Sequence, residues 1–290
     1  MTLERTSGCK VNLLLNVLGK RADGFHELES VMHPVNLFDR LGFARATHGI
    51  QLTCSEPGLP TDSQNLVHRA AALFLETAKI RDGVSLHLEK KIPVAAGLGG
   101  GSGNAAATLL GLNQLFGQPL AEEQLQAIAT LLGSDVPFFL QTKPALAAGR
   151  GEQIQPLDFF PALDGAAFLL IYPGFGIATA WAYQRLARFP AALSGRPGRG
   201  PKLVALLQTA DVKTAGVEFY NSLEPPALEK YPLLALFQEF LRENGAAATL
   251  MSGSGSATFA VAQDQRAAEE LAEKFKAKFG SANWMAVARV

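Results

Sequence analysis

Between Pro93 and Ala107 the chain reads Pro-Val-Ala-Ala-Gly-Leu-Gly-Gly-Gly-Ser-Gly-Asn-Ala-Ala-Ala. Gly97, Gly99, Gly100, Gly101 and Gly103 lack a β-carbon, so this backbone can turn tightly and bring its N–H groups against a ligand. It runs directly into Asn104–Phe116, a strong Ala/Leu helix pattern. A glycine loop that opens a helix constrains what can surround it, because unpaired N–H groups and the positive end of the helix dipole converge there. Phosphate is the ligand class that such a junction suits. Glycine at this density inside a domain carries an entropic cost, which makes an idle flexible loop the poorer reading.

The loop is not a Walker motif, since G-x-x-x-x-G-K-[S/T] requires a lysine and the loop has none. Gly101-Ser-Gly103-Asn-Ala-Ala106 matches the looser dinucleotide fingerprint G-x-G-x-x-G/A. A Rossmann unit, however, needs a second strand after the helix, ending in an acidic residue. Glu122 and Glu123 stand at a suitable distance but open another helical pattern, Leu120–Leu132, with no strand between. A nicotinamide cofactor is therefore excluded.

Composition narrows the class. The 290 residues carry 26 basic and 26 acidic side chains, so no charge excess points to nucleic acid or an acidic membrane surface. The local run Arg196–Lys202 reads as a solvated loop. Two cysteines, Cys9 and Cys54, exclude a disulfide framework and suit a reducing compartment. The histidines at 26, 33, 48, 68 and 87 lack zinc-ligand spacing. Met1–Lys10 is polar and charged, unlike a signal peptide, and the apolar run Ala166–Tyr172 is too short to span a bilayer. A soluble cytoplasmic protein is expected, a monomer or weak homodimer, with small-molecule partners and neither nucleic acid nor membrane.

Along the chain, Lys10–Leu18 alternates as a strand, Asp23-Gly24 marks a turn, and Glu27–Leu37 returns antiparallel. Leu41–Thr53 is a weaker strand region, Asn65–Ala78 has helical spacing, and Val84–Glu89 is a strand leading into Lys90-Lys91 and the glycine loop. In the second half, Ala166–Tyr172 is a buried strand, and Thr179–Arg188 and Lys202–Gln208 read as helical. Pro232–Glu243 is a helix closed by Gly245, and Ala247–Met251 and Ala257–Ala262 form a hairpin around Ser252-Gly-Ser-Gly-Ser256. Asp264–Phe279 is a helix and Asn283–Val290 a last strand. Grouped, this second half reads β-α-β-β-α-β, the ferredoxin-like order. The expectation is an α+β chain of two domains, residues 1–158 and 159–290, with the boundary near Pro156–Leu163.

The loop Pro93–Ser102 resembles the central motif of the GHMP small-molecule kinases. Cys9-Lys-Val-Asn-Leu13, Gly19-Lys-Arg-Ala-Asp-Gly-Phe-His-Glu-Leu28, Gly133-Ser-Asp-Val-Pro137 and Leu250-Met-Ser-Gly-Ser-Gly-Ser256 narrow the likeness to the branch that acts on 4-diphosphocytidyl-2-C-methyl-D-erythritol. The resemblance covers nearly the whole chain. It implies an N-terminal domain like ribosomal protein S5 domain 2 and a ferredoxin-like C-terminal domain. It also implies ATP-dependent phosphorylation of a tertiary hydroxyl of a cytidine-diphosphate sugar alcohol, in the non-mevalonate route to isoprenoid precursors.

Without the resemblance, Asp135 is a turn aspartate and Lys10 a solvated strand lysine. With it, they match the catalytic pair. Asp135 would orient the acceptor hydroxyl and take its proton late, while Lys10 would steady the moving charge. Pro93, Val94, Ala95, Ala96, Gly97, Leu98, Gly99, Gly100, Gly101, Ser102 and Gly103 would wrap the ATP phosphates. Asn65, Leu66, Val67 and Lys90 fall where the family surrounds adenine. Phe25 and His26 match a cytosine pocket, with Tyr183 on the other side of the base, although helix packing also accounts for Tyr183. Asn12 would lie near substrate hydroxyls, and Gly253, Ser254 and Gly255 beside the reacting groups, where a plain hairpin turn is the simpler alternative. Mg²⁺ is implied by the chemistry, with no protein metal ligands identified.

The chain departs from the family at Gly8-Cys9, usually Pro-Ala, at Gly103, usually serine, and at Phe25, usually tyrosine. Rival readings are another GHMP kinase acting on homoserine, mevalonate or a sugar, and a nucleotide-binding regulator without turnover. Phe25-His26 speaks against the former and an intact Lys10 and Asp135 against the latter. The whole reading requires the Lys10 ammonium and the Asp135 carboxylate to flank one acceptor oxygen.

Overall fold

The computed structural model describes residues 3–290, so the first two residues of the polar opening stretch lie outside them. Two long strands lead, β1 (Leu3–Lys20) and β2 (His26–Ala46). Both overrun the alternating segments Lys10–Leu18 and Glu27–Leu37, because polar residues such as Glu4 and Arg45 occupy exposed strand positions without breaking the pairing. Contacts gather the described residues into two compact units, and each long strand gives one end to each unit. The first unit comprises the described residues up to Cys9, with Leu37–Pro93 and Gly99–Thr142; the second comprises Lys10–Asn36, Val94–Leu98 and Lys143–Val290.

The first unit adds β3 (Ile50–Cys54), α1 (Leu66–Thr77), β4 (Gly83–Glu89), α2 (Gly100–Leu115) and α3 (Glu122–Leu132). β4 pairs antiparallel with the end of β2, from Arg40↔Glu89 to Ala46↔Gly83, and parallel with β3 from Ile50↔Val84. The single weak strand expected over Leu41–Thr53 is thus the end of β2 and all of β3, divided where Gly49 turns at φ 70°. Leu41, Phe43, Leu86 and Leu88 share a core with Val67, Ala70 and Phe74 of α1 and with the small face of α2. At Gly111 a β-carbon would strike the ring of buried Phe43, so glycine lets helix and sheet meet closely. α2 begins at Gly100, four positions before its apolar pattern, because its first turn is built of glycine and serine.

The second unit adds β5 (Ala145–Ala148), β6 (Gln153–Pro156), β7 (Ala167–Tyr172), α4 (Thr179–Leu186), α5 (Pro190–Leu193), α6 (Arg199–Thr209) and α7 (Val212–Gly216). There follow β8 (Tyr220–Asn221), α8 (Glu224–Lys230), α9 (Leu233–Glu243), β9 (Ala248–Met251), β10 (Thr258–Ala262), α10 (Gln265–Phe279) and β11 (Trp284–Arg289). β8 runs parallel to β1 at Leu14↔Tyr220, and β5 antiparallel to β2 at Ser30↔Ala147. A separate sheet has the order β11-β7-β10-β9, all antiparallel, which is the ferredoxin-like arrangement expected. Leu169, Ile171, Met251, Phe237, Leu271 and Phe275 form its core with α9 and α10.

His33 is the unit's most burdened polar side chain. It is fully buried among Phe159, Phe160 and Phe168, with ring centroids 5.7–6.0 Å apart. Nδ1 lies 2.7 Å from the Pro34 carbonyl, and Nε2 has no hydrogen-bond partner among the described residues. Burial pushes its pKa down to about 4, against the opposing pull of the Pro34 hydrogen bond. In the unfolded chain the imidazole titrates near ~6.5. Stability is therefore intact above that value and is lost as pH falls from there toward 4, because only the unfolded chain takes the proton. Denaturant titrations at pH 7 and pH 5 are expected to show His33 costing about 2 kcal/mol, a loss that His33→Phe removes.

Candidate active site

On β1 the alternation that buries Val11 and Leu13 on one face turns Lys10 and Asn12 to the other, where both are still buried. A buried ammonium is costly unless hydrogen-bonded. Lys10 Nζ donates to Asn12 Oδ1 and, at 3.2 Å, to the Gly97 carbonyl. Asn12 Nδ2 donates to Ser30 Oγ at 2.8 Å, and Ser30 Oγ donates to the Leu14 carbonyl at 2.6 Å. Ser30 so fixes the carboxamide with its oxygen toward the ammonium.

The first half of the glycine loop is stitched into the same unit. Lys10 N donates to Leu98 O at 2.9 Å, and Ala257 N donates to Ala96 O at 2.8 Å. The Gly97 carbonyl also accepts from Ser252 Oγ at 2.9 Å. Gly97 has φ 82°, and a β-carbon there would strike the Ser252 carbonyl, so no other residue fits. A β-carbon on Gly253 would sit 3.3 Å from Lys10 Nζ, which places this glycine against the ammonium. Ser254 Oγ is 3.0 Å from Thr179 Oγ1.

Two residues that the sequence reading passed over hold this second loop. Asn221 Nδ2 donates to the carbonyls of Met251 and Gly253 at 2.8 and 2.7 Å, and its Oδ1 accepts from Leu223 N. Glu224 Oε1 accepts from Met251 N at 2.8 Å and from Gln238 Nε2 at 2.6 Å. Burial pushes the Glu224 carboxyl up, and those hydrogen bonds pull the other way. The available signal was a pair of polar residues in Asn221-Ser-Leu-Glu224, ahead of two prolines.

Phe25 and His26 follow a braced turn. Arg21 N donates to Phe25 O at 2.8 Å, Phe25 N donates to Asp23 Oδ1 at 3.1 Å, and Arg21 pairs with both Asp23 and Glu27. The Phe25 ring is half exposed. The His26 ring stacks on Tyr183 of α4, with centroids 4.9 Å apart and 26° between planes. Burial, then the charge of Lys20, lowers the His26 pKa and favours the neutral ring, which can both donate and accept.

The first unit holds the remaining predicted residues. α2 opens on Gly99 in the left-handed region at φ 70°, and among the described residues no side chain caps this end. α1, α7 and α10 are by contrast capped by Asn65, Asp211 and Asp264. Gly100, Gly101, Ser102 and Gly103 form the first turn of α2, and Pro93 begins the loop, whose next residue, exposed Val94, already belongs to the second unit. Asn65 has its carboxamide engaged, accepting from Val67 N and donating to Pro60 O at 2.7 Å. Lys90 is likewise engaged: its buried ammonium pairs with the Asp39 carboxylate and donates to Asn104 Oδ1 at 3.2 Å. Asp39, fully buried, also accepts from the backbone N–H groups of Lys91 and Ile92 and from Asn104 Nδ2 at 2.7–2.9 Å. Asp135 sits half-buried in the turn after α3, where Val136 N donates to Gly133 O at 3.1 Å.

The second unit therefore brings together Lys10, Asn12, Gly97 and Gly253, and His26 with Tyr183; Asp135, Asn65, Lys90 and the end of the loop belong to the first. Among the described residues no three His, Cys, Asp or Glu side chains converge as a metal cage, and no helix is long and apolar enough to cross a membrane.

The family model for the GHMP kinases N terminal domain matches residues 65–143, and that for the GHMP kinases C terminal domain matches residues 203–281. The chain is 42% identical to a 4-diphosphocytidyl-2-C-methyl-D-erythritol kinase of Synechococcus sp. (strain JA-3-3Ab), across 90% of this chain and 85% of that protein. It is 38% identical to the kinase of the same name from Geobacter sp. (strain M21), across 99% and 98%. A crystal structure of 4-(cytidine 5'-diphospho)-2C-methyl-D-erythritol kinase superposes with TM-score 0.79 at 34% identity, covering 99% of this chain and all of that one. Homoserine kinase from Cytophaga hutchinsonii, at 21% identity, shares the fold with TM-score 0.78, covering 100% and 95%.

Asp39→Ala would strand the Lys90 ammonium in the interior. Breaking a buried pair in this way costs on the order of 3–5 kcal/mol. A loss of about that size in denaturant unfolding, with α2 still helical by circular dichroism in the folded baseline, is expected.

Proposed function

Because the chain belongs to the GHMP kinase family, we propose that it transfers the terminal phosphoryl group of ATP to the tertiary 2-hydroxyl of 4-diphosphocytidyl-2-C-methyl-D-erythritol, a step of the non-mevalonate route to isoprenoid precursors. The observation that carries the mechanism is the Lys10 ammonium, buried yet held on the Gly97 carbonyl and against Gly253. Such a lysine is oriented by the protein rather than by water. It meets phosphoryl oxygens with little reorganisation, which is where most catalysis of phosphoryl transfer originates.

The N–H groups at the glycine-built start of α2 suit triphosphate oxygens, with Ser102 adding a hydroxyl. Asp135 is proposed to orient the acceptor hydroxyl and to receive its proton late, once bond formation makes that proton acidic. Asn12, with its carboxamide oxygen turned toward Lys10, offers an acceptor to a substrate hydroxyl. The side chains of Asn65 and Lys90 are committed to structure, and so are both backbone groups of Asn65 and the Lys90 N–H, so their proposed part beside adenine is to hold the walls of its site. Mg²⁺ fits this donor set only as an ion carried by the triphosphate with few protein oxygens, and it supplies neutralisation of the transferred charge.

The proposed base pocket consists of Phe25, His26 and Tyr183, which offer aromatic faces for stacking and a neutral imidazole for the base edge. The division into residues 1–158 and 159–290 is supported by the two family models falling one on each side of it. A cytoplasmic setting is proposed on the chain's two cysteines, too few for a disulfide framework.

An ADP-release assay comparing the cytidine substrate with homoserine and mevalonate tests the assignment. Turnover confined to the cytidine compound is expected, and turnover of homoserine or mevalonate alone would overturn it. Asp135→Asn is expected to lower kcat by at least about a hundredfold, the scale of a lost general base, with ATP binding retained in equilibrium titration. His26→Ala is expected to raise KM for the cytidine substrate far more than KM for ATP in steady-state kinetics, and equal effects would remove the imidazole from the pocket.

A further inference from the structure

The half-exposed Phe25 ring has one face already taken. The Arg150 guanidinium lies over it, with Cζ 4.6 Å from the ring centroid. Arg150 comes from the turn between β5 and β6, and its position is built rather than incidental. β5 pairs with β2 at Ser30↔Ala147, and Leu28 N donates to Gly149 O at 2.9 Å, so the turn is fastened beside the start of β2. Within the turn, Arg150 N donates to Glu152 Oε2 at 2.7 Å, and Arg150 Nε stands 3.8 Å from Glu152 Oε1. From the other side, the hydrogen bonds and ion pairs of Arg21, Asp23 and Glu27 brace the loop that carries Phe25. Two rigid turns thus deliver a cation to the face of an otherwise exposed ring.

A phenyl ring carries no polar atom to fix its orientation, and one in this position would rotate and swing in solvent. A guanidinium is attracted to the negative face of such a ring, opposing that motion. It also leaves only the opposite face for a flat ligand. We infer that Arg150 is a positioning residue for nucleobase stacking: it holds Phe25 from behind and confines a pyrimidine base to the free face of the ring. This inference rests on the base-pocket reading above. A base on the free face lies beyond reach of the guanidinium, so Arg150 acts through Phe25 and not on the base itself.

The test is calorimetric titration of the full chain with CDP, comparing wild type with Arg150→Met and Arg150→Lys. Methionine keeps much of the length and loses the charge; lysine keeps a cation for the ring. Arg150→Met is expected to weaken CDP binding about three- to fivefold, the scale of an exposed cation–π contact. Arg150→Lys should recover most of that loss, and the melting temperatures of both should match wild type. In a Phe25→Ala background Arg150→Met should add nothing, since the contact is already gone. Equal CDP affinity for wild type and Arg150→Met would overturn the role of Arg150 and leave the base pocket standing. So would a lysine variant as weak as methionine, or an undiminished methionine effect without Phe25. A wild-type chain that fails to bind CDP would overturn the base pocket and this inference together.

Discussion

The Gly97 carbonyl receives two side-chain donors, Lys10 Nζ and Ser252 Oγ, and the arrangement of the second unit's polar residues follows from that convergence. A lysine ammonium in a protein interior needs oxygen atoms to replace its hydration. Here the replacements include a backbone carbonyl and the Asn12 carboxamide. Each is fixed in turn: Asn12 by Ser30, and the partner loop by Asn221 and Glu224. Each contact in this series removes a rotation that the next would otherwise have. The cation ends with a defined direction although its stem has four rotatable carbons.

The first unit uses the opposite charge for a similar purpose. Around the Asp39 carboxylate gather the Lys90 ammonium, two backbone N–H groups at the head of the glycine loop and the Asn104 amide from the second turn of α2. A buried carboxylate left alone would cost several kcal/mol. Surrounded by donors, it sets the direction in which the chain leaves β4 and where α2 begins. The glycine-rich stretch is thus conformationally permissive in composition yet tied down at its head and in the second turn of the helix it opens.

Much of this was legible in the sequence, and the limits have physical causes. Helices with a sided apolar pattern were placed closely: Asn65–Ala78 against the observed Leu66–Thr77, and Asp264–Phe279 against Gln265–Phe279. The ferredoxin-like order followed from the succession of apolar runs, helical segments and a Gly/Ser hairpin, because β7, β9 and β10 are buried on both faces and read as compact apolar runs. β5 and β6, four residues each, carry too few positions for a period to show. The extra length of β1 and β2 was hidden because exposed strand ends carry the same residues as loops. For the site, motif residues were visible but their supports were not. Asp39, Asn221 and Glu224 act through contacts far apart in the chain, and nothing local distinguishes a buried carboxylate from a solvated one. Lys90 shows the converse: the resemblance placed it beside adenine, and nothing in the sequence showed that its ammonium pairs with Asp39.

The notch that Gly111 leaves for the Phe43 ring has a consequence at the far end of the helix. A helix packed by a smooth apolar face can slide along its axis in small steps, each residue advancing about 1.5 Å. A ring lodged in a gap one residue wide forbids that sliding, since Leu110 or Leu112 would have to take the place of hydrogen with a full side chain. The aromatic therefore serves as a detent on a ruler that runs from Gly100 to Gly111. The placement of the glycine turn is thus tied to a contact buried in the core of its unit.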